Sequence, residues 1–426
     1  MNETTSENDF QAQVQRDLRR NYLATLGHGL LGQTGMRILN APTFLPAYIF
    51  DFTGSDAAVG AARAFQYLGN LLSPLLGALL IEHRPRVLGV GMWNGVLMRL
   101  QILGLGLAGL LLPDPFRLLA SWLFLGLFGF FGGIQGVVFN MVISKVIPVK
   151  QRGILLGLRT AASGITASLV AVFAGRALVE TNVLGNGYAT TFLVAFALTS
   201  LGLVTLLFIR EPASPDVRVP SSFSQRLREL PELLRSDRSF TRYFLARALG
   251  TIGQMAVPFY IIYAEQRIGL DGDELGVLTA AFVMSQSVTN LGWGALADRR
   301  GFRFAFLLSL SSWMLAAVML IQSSDYSGLL MAFAVLGAGI GGFEFTSRNM
   351  MLEFGSRRNL PMRIAVANSA AQAVAAIGAV AGGFIASAFS YSILFWIAFA
   401  FQACALVMVM FGVDEPRYRN KPLGPS

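Results

Sequence analysis

Twelve separate stretches of this chain are each long and apolar enough to cross a bilayer, and that constrains the fold more than any other feature. A hydrocarbon core takes about 20 mostly apolar residues per helix, and the sequence supplies such runs at 21–50, 57–82, 87–112, 117–143, 153–178, 188–209, 241–264, 275–297, 303–322, 327–351, 364–388 and 391–413. Backbone groups inside lipid must be satisfied within their own segment, so continuous runs of this length predict helices. Barrel strands would be half as long and would alternate in polarity. The expected fold class is an all-α membrane protein.

Composition agrees. Of 426 residues, 54% are hydrophobic and 13% charged, too few charges to cover the surface of a soluble protein this size. A formal charge of +9 raises nucleic acid as a partner, but the arginines are scattered between apolar runs, which marks membrane orientation instead. No nucleic-acid partner is expected. If the amino terminus lies inside, 25 of the 33 lysines and arginines fall on the cytoplasmic side and only Arg117 and Arg267 fall outside. That bias predicts both termini in the cytoplasm of an integral, multi-pass inner-membrane protein. Residues 1–20 are polar, end in Arg19 and Arg20, and read as a cytoplasmic tail with no cleavable signal peptide. Residues 21–209 form one six-span bundle, 210–240 a cytoplasmic linker, 241–413 a second bundle and 414–426 a cytoplasmic tail. Leu227, Leu230 and Leu234 recur at helical spacing in the linker, predicting a short amphipathic helix there. The single Cys404 and two histidines leave no cysteine or histidine cluster for a metal, and no cofactor is expected.

The two bundles repeat one another. "LLGQTG" with Gln33 parallels "TIGQMA" with Gln254, and "GALLIEHRPR" from Gly77 parallels "GALADRRGFR" from Gly294. "GGIQGVVFNM" from Gly132 parallels "GGFEFTSRNM" from Gly341, and the sixth and twelfth spans both run into Glu-Pro, at Glu211 and Glu415. With six spans each, the halves share one orientation, and an axis along the membrane normal can relate them. "GALADRRGFR" resembles the cytoplasmic loop signature of the major facilitator superfamily, carried here by Gly294, Leu296, Asp298, Arg299, Gly301 and Arg303. The amino-terminal copy is degenerate, keeping Gly77, Leu79, Arg84 and Arg86, while "PVKQRGILLG" with Arg152 and Gly153 resembles the family's loop between spans four and five. The resemblance implies two six-helix bundles that rock about a central site, with the loop acting as a latch between states.

Ionisable and polar residues deep in a span are functional candidates, whereas those near its ends snorkel to the surface. On that basis Arg159, Arg176 and Arg247 are expected to snorkel, and Arg99 to be paired in the interior. Arg37 lies about 24 Å along the first span from Asn21, and Gln33, Arg37 and Asn40 recur at i, i+4, i+7 on one face. In the family the first, fourth, seventh and tenth spans line the cavity. The resemblance therefore implies that this stripe meets Gln135, Gln254 and Glu344 there, with Tyr260 beside them. Glu344 is the acid well inside a span, and Arg37 is its most plausible opposite charge.

The expected function is secondary transport of a small organic solute by alternating access, with the lipid bilayer as second partner and a proton or other ion as a candidate coupled species. Deep arginines outnumber deep acids, which favours an anionic solute. Drug-exporting members usually carry Arg-x-x-Gln-Gly in span four; here Gln135 and Gly136 match but Gly132 occupies the arginine position, and residues 164–180 lack the proline of the family's span-five motif. Export of amphipathic or drug-like compounds is the alternative, and a non-transporting assembly factor or receptor on the same fold a third. No phosphate-cradling loop or serine-nucleophile motif points to an enzyme.

Overall fold

The computed structural model describes residues 3–214, 238–353 and 360–413, and its described elements are all helical. In chain order they are α1 (Glu3–His28), α2 (Thr34–Asn40), α3 (Phe44–Thr53), α4 (Asp56–Ile81), α5 (Leu88–Leu111), α6 (Asp114–Val146), α7 (Val149–Phe173) and α8 (Gly187–Thr205). Then follow α9 (Arg238–Ile252), α10 (Phe259–Ile268), α11 (Gly272–Arg300), α12 (Phe302–Gln322), α13 (Tyr326–Leu352), α14 (Leu360–Ala388) and α15 (Tyr391–Gly412). Short polar caps allow tight reversals between long apolar helices. Asn186, Asp325 and Ser390 each accept a backbone N–H at the start of α8, α13 and α15, and Asp271 with Glu274 forms a capping box on α11. The linker expected at 210–240 lies mostly outside the described residues, and so do its amphipathic helix and the tail at 414–426.

Among the described residues, ten helical segments are long and apolar enough to span a membrane. The other two expected spans are helical too but differ in character. Residues 275–297 lie within α11, and the first span is broken: a π turn at Gly29–Gln33 separates α1 from α2, and a further break precedes α3. The seventh span is interrupted at the same repeat position, by a 3₁₀ turn at Gly253–Ala256 between α9 and α10. The polar residues before position 21 are helical as well, continuous with α1. Asp17 pairs with Arg210 at 3.3 Å, and Asn21 exchanges bonds with the Arg210 backbone, its Nδ2 donating to the carbonyl and its Oδ1 accepting from the N–H. Buried Val14, Asp17 and Asn21 recur along that helix, so one face of it packs on the end of the sixth span.

The described residues form two compact units. One comprises residues 3–40 and 65–214, the other 41–64 and 238–413. The second unit therefore includes α3 and the first turns of α4. Thr279 Oγ1 donates to Thr43 Oγ1 at 2.7 Å, the Tyr391 hydroxyl donates to Asp56 Oδ1 at 2.7 Å, and Arg63 Nη2 donates to the Ala41 carbonyl at 3.0 Å.

Candidate functional site

In the first unit the polar stripe of the first span is held by α7. Arg37 Nε donates to Ser163 Oγ at 3.2 Å, and the Ser163 hydroxyl lies 3.1 Å from Gln33 Oε1, to which it donates. Thr34 meets Thr166 one turn further along α7. Gln66 Nε2 donates to Asn40 Oδ1 at 2.8 Å. Gln33 and Arg37 are half-buried and Asn40 is exposed, so the stripe has an open edge. The π turn extends this row. In an uninterrupted α-helix, residues five apart lie about 140° apart around the axis; the i to i+5 pattern of a π turn closes that gap. His28 thereby joins the row facing α7, where its Nδ1 is 3.2 Å from Arg159 Nη2. Gln135 is tied to a different neighbour: Asn94 of α5 donates to its Oε1 at 2.9 Å and to the Phe131 carbonyl at 2.8 Å.

The second unit distributes the remaining candidates. Gln254 sits in the 3₁₀ turn, half-buried. Tyr260, expected beside a cavity, is 1% exposed, its ring 4.8 Å from that of Phe395, because the wall it offers is already filled by α15. Glu344 lies 3.6 Å from Arg348, one turn on along α13. Arg247 does not snorkel: it is 7% exposed, donates to Asn368 Oδ1 of α14 at 3.0 Å and lies in the field of the Glu344 carboxylate. Arg159, in the first unit, is likewise buried, at 2%. Proximity to a helix end does not bring a side chain to the surface when neighbouring helices cover it.

At the basic ends of the helices the loop signature takes a definite geometry. Asp298, Arg299 and Arg300 occupy the last turn of α11 and are exposed. Gly301 has φ +89°, which no side chain adopts cheaply, and reverses the chain directly into α12. Arg303 then donates to the carbonyls of Val409 and Met410, at 3.3 and 2.5 Å, satisfying acceptors near the end of α15. Gly77 is a true close approach, a Cβ there falling 3.0 Å from Ile134 Cα, whereas at Gly294 the nearest atom would be a Phe345 ring carbon at an ordinary 3.7 Å. Close packing thus explains the first glycine and not the second. Arg84 is exposed just after α4, and Arg152 donates to the Ile147 and Ser144 carbonyls, capping the end of α6.

Residues 243–426 match the profile of the Major Facilitator Superfamily. Nearly the whole chain shares the fold of solved transporters: a D-xylose–proton symporter aligns over 92% of this chain and 97% of its own, with TM-score 0.71 at 14% identity. The nucleoside transporter NupG aligns over 91% and 98%, with TM-score 0.66 at 12% identity. The superfamily's profile thus matches the carboxy-terminal part of the chain, and nearly the whole chain has the fold of these transporters. Sequence relatives are distant. The quinolone resistance protein NorA of Staphylococcus aureus is 25% identical over 38% of this chain and 42% of its own length, so the match spans about two fifths of that relative. The class E tetracycline resistance protein of Escherichia coli is 26% identical over 65% of this chain and 70% of its own. The profile match and the apolar helices together make this an integral membrane protein.

Two features of the site are not legible in the sequence by the rules that picked out the first-span stripe. The first is the Arg159–His28 contact. Arg159, Ser163 and Thr166 recur at i, i+4, i+7 on α7, the same spacing as Gln33, Arg37 and Asn40, but Arg159 stands near a helix end, where the depth rule expects snorkelling. The second is an ion pair between Lys145 Nζ and Glu211 Oε1 at 2.9 Å, with side chains only 4% and 3% exposed. Glu211 also accepts the N–H groups of Val87 and Leu88 at the start of α5, and Lys145 donates to the Pro85 carbonyl. Apolar Ile143, Val146, Leu206 and Ile209 belong to the core around this end. The pair ties the loop before α5 to the ends of the fourth and sixth spans. Glu211 stood out in the sequence only as half of a repeated Glu-Pro.

Proposed function

We propose that this protein is a secondary transporter of a small organic solute, working by alternating access in the inner membrane with both termini cytoplasmic. The observation that carries the reading is the polar seam of Gln33, Arg37 and Ser163, which has an exposed edge at Asn40 although it is built on spanning helices. Such groups are costly in a membrane unless they serve a pathway. Arg37 would present charge to the solute, and the amides of Gln33, Asn40 and Gln66 would orient it. Glu344, in reach of Arg348, would carry substrate or proton chemistry on the second unit, where Gln254 is a further solute contact, and Gln135 would contact solute on the first unit. The loop residues Asp298, Arg299 and Arg303, with Arg84 and Arg152, would bias the equilibrium between states without touching solute. No enzymatic activity is part of this reading.

Efflux of amphipathic drug-like compounds is the second reading, supported by relatives named for quinolone and tetracycline resistance. Gly132, at the place of the exporters' usual arginine, weighs against a proton-driven version. The test is an untargeted comparison of metabolites inside and outside cells carrying the parent, Arg37→Gln, Glu344→Gln or no copy. The reading expects one compound class whose distribution follows the parent and reverts in Arg37→Gln. Identical distributions in all four, with the protein present in the membrane, would leave a binding or assembly role. A shift confined to added quinolone or tetracycline would favour efflux.

A further inference from the structure

We propose that Arg159 forms an oxyanion-binding locus on the α7 seam, taking the carboxylate or phosphate group of the solute; this rests on the transporter reading and names its substrate class. Arg159 stays charged, since a guanidinium does not deprotonate in proteins. Among the described residues neither a carboxylate nor a carbonyl answers that charge. Nη2 meets the neutral acceptor Nδ1 of His28, the guanidinium lies 4.5 Å from the Phe139 ring centroid, and Nε has no hydrogen-bond partner among the described residues. Other deep cations are answered. Arg99 donates to the carbonyls of Thr199 and Gly95, Lys145 meets Glu211, and Arg247 has Asn368 and the field of Glu344.

The place is built to hold the guanidinium. Gly29, in the π turn, presses against it so closely that a Cβ would fall 2.6 Å from both Cγ and Nε of Arg159. One turn along α7, about 6 Å of rise, Ser163 holds Arg37 and Gln33. Two guanidinium groups and a hydroxyl therefore lie along one seam of donors, which suits an acceptor-only oxyanion. His28 acts as the placeholder: its ring nitrogen fills the position that an oxyanion would take on Nη2.

The test uses purified full-length protein in detergent, following the thermal midpoint with sodium acetate or inorganic phosphate against sodium chloride at equal ionic strength. The parent should gain stability with one of the two oxyanions, and which one responds separates carboxylate from phosphate recognition. Arg159→Gln should lose that gain while unfolding at or above the parent's own midpoint, because an uncompensated charge has been removed. His28→Ala, which keeps the arginine and removes the placeholder, should reach half-saturation at an oxyanion concentration at least threefold lower. An unresponsive parent, a gain surviving in Arg159→Gln, or unchanged or weakened binding in His28→Ala would overturn the proposal. Binding is read without flux, so a carrier of neutral solutes would fail here and still move its solute in cells.

Discussion

Replacing Gly60 with leucine should part residues 41–64 from α14. Both belong to the second compact unit, and at Gly60 a Cβ would fall 2.4 Å from the Ala379 carbonyl oxygen and 3.0 Å from Gly383 Cα. Both obstacles are backbone, so no rotamer change relieves them. The helices must separate by about 1 Å for the first carbon alone, and further for a whole side chain. Overpacking of this kind costs roughly 1–3 kcal/mol, equivalent to a shift of about 5- to 150-fold in a two-state equilibrium. The Tyr391 to Asp56 bond, near the same end of α4 at 2.7 Å, would be strained with it. If transport alternates access, the packed arrangement of 41–64 is one state and its separation belongs to the other, so the cost moves population and does not only lower stability. The assay is alkylation of Ala386→Cys, buried on the face of α14 that carries Ala379 and Gly383, in a Cys404→Ala background. An impermeant maleimide applied outside should react at least fivefold faster with Gly60→Leu present. Gly136→Ala is the control, since no atom lies within 4 Å of the added carbon. An unchanged labelling rate accompanied by a lower melting temperature would refute the reasoning, because the seam would then be a permanent contact.

Three further outcomes are expected. Lys145→Met leaves the Glu211 carboxylate buried without its cation and should cost about 3–5 kcal/mol in thermal stability, with Glu211→Gln in the same chain recovering most of it; equal melting temperatures for parent and single variant would contradict the buried pair. Gly301→Ala forces a side chain onto φ +89° and should cost about 1–3 kcal/mol, read by thermal unfolding, whereas Gly294→Ala should be nearly neutral. Gly153→Cys, placed where an added carbon meets nothing within 4 Å, should resist impermeant reagent on intact cells and react once the cells are opened; ready labelling from outside would reverse the predicted topology.

Hydropathy and run length were enough for the helical membrane fold, because burial in lipid imposes a length and a polarity on every span regardless of its neighbours, and the loop motif carried the resemblance to the superfamily. Gly301 was legible only as a member of the loop signature; that it reverses the chain within one residue at a positive φ came from the structure. The row Gln33, Arg37, Asn40 followed from a 3.6-residue period, which is local. His28 did not, because the π turn that brings it into register is invisible to a period that assumes an unbroken helix. Arg159 and Arg247 were misjudged for a different reason: distance from a helix end is a property of sequence, but burial is set by which other helices stand alongside. The Lys145–Glu211 pair joins residues 66 positions apart, and the 41–64 segment contacts residues more than 300 positions away. Contacts of that separation leave no local pattern, so tertiary packing alone decides which charges are answered within the protein and which are left for a ligand.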